Sequence, residues 1–241
     1  MRTCAIIPAR GGSKAVPRKN VLDFCGHPLI AWTIAAARRS PVIETVYVST
    51  DSDEIASVSE KYGAQTIWRP AELAADSSSS ESALLHACDS LKQQLGQEPD
   101  TVFFLQATSP LRCAGELDRA YEKFTANNLD SLFCAAEPED QLVWIRRQSG
   151  DLESVNYDYQ NRKPRQDSSG HDTLLIETGS FYIFKTQVLR ATGNRLGGKF
   201  DVFEVPHWQC FEIDSFEGLE LCAHLMRAYK LDQISPQLAT R

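Results

Sequence analysis

"AIIPARGGSKAVPRKN", residues 5–20, opens as a buried strand, breaks at Pro8, and then places Arg10, Lys14, Arg18 and Lys19 around the pair Gly11-Gly12. A glycine-rich turn behind a buried strand is a standard way to bring backbone N–H groups close to an anion. The 241-residue chain carries a formal net charge of −7, so four cations in one loop run against its overall balance. Neither familiar phosphate loop fits. A Walker A loop needs GxxxxGK[ST] running directly into a helix, and Pro17 interrupts here; the GxGxxG fingerprint is absent as well. Taken alone, the stretch supports a strand followed by an anion-binding turn, with a solvated basic turn as the bland alternative.

Working outward, the same strand-then-turn unit repeats. "TCAII" (3–7), "TVYVS" (45–49), "AQTIW" (64–68), "TVFFL" (101–105) and "SLFCAA" (131–136) have the length and composition of buried strands. Segments of helical period lie between or beside them at 28–40, 53–63, 79–95 and 114–126. Asp51 and Glu54 have the spacing of a capping box for the second helix. This alternation predicts an α/β fold, doubly wound around a mostly parallel sheet, in which ligands bind beyond the carboxyl ends of the strands. Residues 137–173 break the pattern: they are polar and turn-rich, with short strands but no core of their own, as expected of a flap, an insertion or an oligomer contact. Beyond them come "TLLIE" and "SFYIF" (within 173–184), a short helix near 186–192, a glycine-rich turn, strand-like "FDVFEVP" and "WQCFEID", and an amphipathic helix over about 215–230. The whole of 1–241 is expected to form a single domain, with 137–173 as its insertion.

Composition excludes several function classes. An acidic chain with a pI near 5.3 lacks the basic face that nucleic acid or a membrane surface requires. The seven cysteines are scattered, with no CxxC pair, and are expected to be reduced thiols. No apolar run approaches membrane-spanning length and no hydrophobic leader precedes the first strand, so a cytoplasmic protein is expected. There is no GxSxG elbow and no HExxH, and the five histidines form no catalytic constellation, which disfavours a hydrolase triad or a zinc enzyme.

"IPARGGSKAVPRKN" resembles the opening motif ARxGSKGxPxKN of the acylneuraminate cytidylyltransferases, the CMP-sialic acid synthetases. "VSTDSDEIA" (48–56), "RPAELAADSSSS" (69–80), "LQATSPLR" (105–112), "RKPRQD" (162–167), "ETGSFYIF" (177–184) and "FEIDSFEGLEL" (211–221) follow in that family's order and cover nearly the whole chain. The resemblance implies a Rossmann-like nucleotidyltransferase fold with a small extended dimerisation insertion at 137–173, and a homodimer. It implies CTP and a nine-carbon 2-keto sugar acid as substrates, with Mg²⁺ or Mn²⁺ as cofactor. The anomeric hydroxyl of a nonulosonic acid would attack the α-phosphorus of CTP and release pyrophosphate.

Such a transfer is mostly positioning and charge neutralisation, and the resemblance distributes those tasks. Arg10, Lys14 and Lys19 match the catalytic cations, with Gly11, Gly12, Ser13 and Asn20 around the nucleotide phosphates and ribose. Arg69 and Ser80 match cytosine recognition, although a polar loop ending in a serine N-cap explains the same residues. Gln106, Arg165 and Gln166 match positions near the acceptor, the arginine reaching toward a partner subunit's site. Glu212 and Asp214 match the metal ligands; in a strand, residues two apart point to one side, so their carboxylates would converge. Ser109 and Arg112 can equally be structural.

The chain departs from the family at several points. Glu212 stands where Asp is usual, and Ala15 where glycine is usual, which would strain the loop if its φ were positive. Gln141 and Trp144 replace a commoner lysine motif, and "ETGS" replaces Glu-Asn-Gly-Ala, both where the sugar is expected. A CMP-Kdo-type or other sugar nucleotidyltransferase is therefore the alternative within the enzymes, and a non-catalytic nucleotide-binding protein the remote one.

Overall fold

The computed structural model describes residues 2–138, 142–162 and 173–239. In chain order the strands and helices are β1 (Thr3–Pro8), β2 (Asp23–Phe24), β3 (His27–Pro28), α1 (Leu29–Arg39), β4 (Thr45–Thr50), α2 (Asp53–Lys61), β5 (Gln65–Trp68), α3 (Ser80–Leu95), β6 (Thr101–Leu105), α4 (Glu116–Ala126), β7 (Ser131–Ala136), β8 (Trp144–Arg146), β9 (Leu152–Ser154), β10 (Ile176–Lys185), α5 (Thr186–Thr192), β11 (Phe200–Glu204) and α6 (Phe216–Ala228). Seven strands make one sheet in the order β11-β7-β10-β6-β1-β4-β5. Only β10 runs against its neighbours β6 and β7; the other pairs are parallel. The expected α/β, mostly parallel architecture is therefore present.

The central strands are apolar throughout because both of their faces are covered. On one face Ala5, Ile7, Val46, Val48, Phe103 and Leu105 pack under α1, α2 and α4 through Ile30, Ile34, Ile55, Leu117 and Phe124. The residues between them, Cys4, Ile6, Tyr47, Val102 and Phe104, face α3 through Leu84, Ala87, Cys88 and Leu91. A third cluster sets Ile213, Cys222 and Met226 against Leu29, Trp32 and Leu111, which docks α6 beside the start of α1. All seven cysteines are free thiols, and no helix among the described residues is long and apolar enough to cross a membrane.

Several local expectations are corrected. The N-cap of α2 is Ser52, whose hydroxyl accepts from the Ile55 N–H at 3.4 Å. Asp51 lies one residue too early, and its carboxylate instead accepts the Gly11 N–H at 2.8 Å. Glu54 pairs with Arg18. Ser79, not Ser80, caps α3, accepting from the Ser82 N–H. "TLLIE" and "SFYIF" do not form two strands: one strand, β10, begins at Ile176 and carries an irregularity between Glu177 and Tyr182. "WQCFEID" is not a strand. The Val205 N–H makes the last bond to Ala135, Pro206 has no N–H to continue, and His207–Cys210 turn as a 3₁₀ helix.

The carboxyl ends of the strands are held by Arg112, a fully buried guanidinium. It donates to Thr33 Oγ1 of α1 at 2.9 Å, to the Gln106 carbonyl at 2.7 Å, and to the Ser180 carbonyl of β10. Burial pulls its pKa down to about 10, the neighbouring Glu116 and Glu212 partly opposing this. The structural role is therefore the correct one for Arg112. Arg112→Met would strip a charged donor from three acceptors, leaving the Ser180 and Gln106 carbonyls only contacts of 3.3–3.4 Å, and is expected to cost about 3 kcal/mol of unfolding free energy in urea titrations. An unchanged midpoint and slope would remove Arg112 from this role.

Candidate active site

In a doubly wound sheet the crevice lies where the strand order reverses. Here the chain winds from β1 to β4 and β5 on one side and then crosses to β6 on the other, so the reversal falls between β1 and β6. A cleft of about 180 Å³ opens there, lined by Pro8, Ala9, Arg10, Ser13, Lys19, Asn20, Ser80, Phe104, Gln106, Ala107 and Thr108. It brings together six of the residues singled out from the sequence, contributed by three separate motifs. A smaller depression of about 20 Å³ lies around Thr3 and Leu95, at the opposite end of the sheet.

The loop after β1 is fixed at several points. The Ala9 N–H reaches the Ser49 carbonyl at 2.9 Å, the Gly11 N–H is held by Asp51, and the buried Asn20 amide donates to the Arg10 carbonyl at 3.1 Å. A Cβ on Gly11 would sit 3.1 Å from Ser52 Cβ, so that glycine marks a close approach, whereas Gly12 faces open space. Ala15 keeps a negative φ and is unstrained; the left-handed residue in this loop is Arg18, at φ 56°.

Each of the four cations faces a carboxylate from elsewhere in the chain. Arg10 Nη2 lies 2.8 Å from Asp76, which also pairs with Lys14. Arg18 pairs with Glu54 and Lys19 Nζ with Asp214 at 2.8 Å. Hydrogen bonds from Lys14 and Arg18 hold the Asp76 and Glu54 carboxyls below the usual carboxylate range. Lys19 is enclosed, its side chain 14% exposed, whereas that of Lys14 is 81% exposed. One cation is thus enclosed beside the cleft and the other lies exposed, paired with Asp76.

The carboxylates assigned to a metal approach by a different geometry than expected. Ile213 is buried under α6 and its N–H is tied to the Thr108 carbonyl at 2.8 Å. Glu212 turns toward Thr108, Gln106 and Gly179, while Asp214 turns toward Lys19. Burial first, and then the Asp214 charge, push the Glu212 carboxyl above its usual range. No strand aligns the two carboxylates. Among the described residues no group of three or more His, Cys, Asp or Glu side chains could hold a metal.

Other assignments fall apart from the cleft or outside what is described. The buried Arg69 guanidinium donates to the Ser49 and Leu73 carbonyls, at 2.5 Å and 3.5 Å, and does not line the cleft. Arg165, Gln166 and Gln141 lie outside the described residues. Trp144 belongs to the β8–β9 hairpin, where its indole N–H reaches the Tyr157 hydroxyl at 2.9 Å. Sequence reasoning missed Phe104, Thr108 and Asp76. It also missed the wall behind Phe104, where Tyr182 stacks at 5.4 Å and the Arg195 guanidinium lies 4.2 Å over the Tyr182 ring.

Gly179 carries φ +65°, and a Cβ there would meet Glu212 Oε1 at 2.3 Å and Gln106 Nε2 at 2.9 Å. Gly179→Ala is therefore expected to lose about 1–2 kcal/mol from the left-handed backbone alone. Chemical denaturation reads this, and wild-type stability would mean that the β10 irregularity tolerates a side chain.

Comparison with known proteins places the chain in a family. Residues 4–175 match the family model described as Cytidylyltransferase. The pseudaminic acid cytidylyltransferase of Campylobacter jejuni is 33% identical over 231 residues, covering 94% of this chain and 97% of that protein. N-acylneuraminate cytidylyltransferase A of Danio rerio is 37% identical over 215 residues, covering 87% of this chain and 47% of that longer protein. Among solved structures, a CMP:2-keto-3-deoxy-manno-octonic acid synthetase complexed with CTP superposes with a TM-score of 0.68 at 17% identity, covering 95% of this chain and all of that one. The last likeness concerns the fold; the family model and the two relatives carry the assignment, and the chain belongs to the cytidylyltransferase family.

Proposed function

We propose that the cleft between β1 and β6 transfers CMP from CTP to the anomeric hydroxyl of a nine-carbon 2-keto sugar acid, releasing pyrophosphate. The observation that carries this reading is the convergence of Arg10, Ser13, Lys19, Asn20, Ser80 and Gln106 on one cleft at the switch point of the sheet. In the reaction the anomeric oxygen forms a bond to the α-phosphorus, the bond from that phosphorus to the bridging oxygen breaks, and the hydroxyl proton passes to water. Negative charge grows on the departing pyrophosphate, where Arg10, Lys14 and Lys19 offset it. Ser13 and Asn20 supply a hydroxyl and an amide to the nucleotide, and Ser80 lines the opposite wall. Gln106 faces the acceptor from the end of β6, and the family resemblance alone assigns Arg165 and Gln166 to the same substrate.

Glu212 and Asp214 would hold Mg²⁺ or Mn²⁺: two carboxylates two residues apart, one of them beside the loop cation Lys19, offer hard oxygen ligands to an ion that takes one or two carboxylates and fills its remaining positions with phosphate oxygens and water. When bound, such an ion supplies positive charge to the phosphates. Lys19 already occupies Asp214, so the side chain that offsets the leaving group and the one that holds the ion adjoin.

A homodimer, in a cytoplasmic setting, completes the reading. The β8–β9 hairpin makes no strand pairing with the main sheet. Leu142, Val143, Trp144, Ile145, Leu152, Val155 and Tyr159 are each at least 40% exposed. A two-stranded ribbon is marginal by itself, and an apolar surface of this kind calls for a covering partner.

Pyrophosphate release should appear with CTP and a nonulosonic acid, and not with UTP, GTP or ATP. The acids to compare are N-acetylneuraminate, deaminated neuraminate, legionaminate, pseudaminate and Kdo. Lys14→Ala and Lys19→Ala should each lower kcat/KM by about 100-fold. Preference for another nucleotide would overturn the base assignment, and wild-type turnover in both variants would point to a non-catalytic nucleotide binder. Light scattering should give twice the chain mass, and Trp144→Asp with Ile145→Asp should give the monomer. A monomeric wild-type chain would contradict the hairpin's role.

A further inference from the structure

We propose that Asp76 is a displaceable counter-ion of the leaving-group site, which a ligand bearing adjacent phosphates must evict and which returns when pyrophosphate departs. The inference rests on the reading of Arg10 and Lys14 as phosphate-binding cations. It adds a residue on the facing segment to which nothing above gives a part in that binding.

The geometry is that of a stand-in for phosphate. One oxygen of Asp76 lies on Arg10 and the other on Lys14, so a single carboxylate bridges both cations. A bound triphosphate would bring its oxygens to the same two side chains, and two anions on one pair of cations repel each other. Asp76 and the phosphates therefore compete for the same positions.

Little else holds Asp76 against the loop. It belongs to the connection between β5 and α3, where a 3₁₀ turn at Ala71–Leu73 leads into exposed Ala75, Asp76 and Ser77. The hydrogen bonds of Ser78 in this stretch are internal, from its hydroxyl to the Glu72 carbonyl and from its N–H to the Ala75 carbonyl. Three residues on, Ser79 caps α3, and Ser80 lines the cleft. Eviction of Asp76 thus begins next to the wall that faces the nucleotide.

The remaining loop cations show why the effect belongs to Asp76. Arg18 is taken by Glu54 in the first turn of α2 and does not line the cleft. Lys19 is taken by Asp214, on the side of the candidate ion ligands. Among the described residues, only Asp76 spans two of the proposed phosphate cations. Because both pairs are exposed, the hold is weak enough for a multiply charged ligand to overcome.

Calorimetric titration without acceptor tests this, using CTP, inorganic pyrophosphate and CMP against the wild type, Asp76→Asn and Glu54→Gln. Asp76→Asn is expected to bind CTP and pyrophosphate about three- to tenfold more tightly, the range that exposed ion pairs provide. CMP, which lacks the leaving-group phosphates, should bind both proteins alike. Glu54→Gln removes the same charge and should change none of the three affinities. Weaker or unchanged binding of CTP and pyrophosphate to Asp76→Asn would overturn the proposal, showing that Asp76 positions the cations or plays no part. Equal tightening for CMP, or in Glu54→Gln, would also overturn it, as a general charge effect. A wild-type chain that binds pyrophosphate but not CTP would overturn the nucleotide reading, while tighter pyrophosphate binding by Asp76→Asn would still support the counter-ion.

Discussion

Arg112 holds together the end of the sheet on which everything at the cleft depends. Its guanidinium ties α1, the turn after β6 and the point where β10 begins to pair with β6 through three acceptors. The turn after β6 carries Gln106 and Thr108 into the cleft, and the Thr108 carbonyl in turn anchors Ile213. Ile213 sets Glu212 on one side and Asp214 on the other. A charge this deeply buried is costly unless every donor finds an acceptor, and only the Nε of Arg112 lacks one. The cost is offset by registration: two adjacent strand ends running in opposite directions share one hub.

Around that hub, the protein solves the problem of concentrating cations by pairing each of them. A loop of four unpaired positive charges would repel itself; here carboxylates from α2, from the β5–α3 connection and from the stretch before α6 close on it from three sides. The pairs differ in character. Arg18 with Glu54 is bidentate, Nε lying 3.2 Å from Oε2, and lies apart from the cleft lining. Lys19 with Asp214 is largely enclosed on the lysine side, and Arg10 and Lys14 with Asp76 lie at the rim. The phosphate-binding reading therefore concerns a loop already shaped and neutralised, in which an arriving polyanion exchanges partners.

Much of this was legible in the chain. The central strands could be read because burial on both faces leaves an unbroken apolar run, and the helices because one face only is apolar. The loop stood out because its charge opposes the net charge of the protein. What could not be read was the partner of each cation, since Arg18 and Glu54 are 36 residues apart and Lys19 and Asp214 are 195 apart. Asp51 was mistaken for a cap because its spacing to Glu54 fits one, and spacing cannot reveal that a glycine N–H from another loop takes its carboxylate. The strand expected at "WQCFEID" failed for a local reason: Pro206 ends the ladder, and Ile213 is drawn into the α6 cluster instead of pairing.

The structure of the chain crystallised with CTP is the most direct measurement of the central claim, that the crevice between β1 and β6 is a triphosphate site. The triphosphate should lie against Arg10, Lys14 and Lys19, with the nucleoside extending toward Ser80 and Gln106 left free for an acceptor. A nucleotide bound away from the β1–β6 crevice, with those three cations still paired to Asp76 and Asp214, would contradict it.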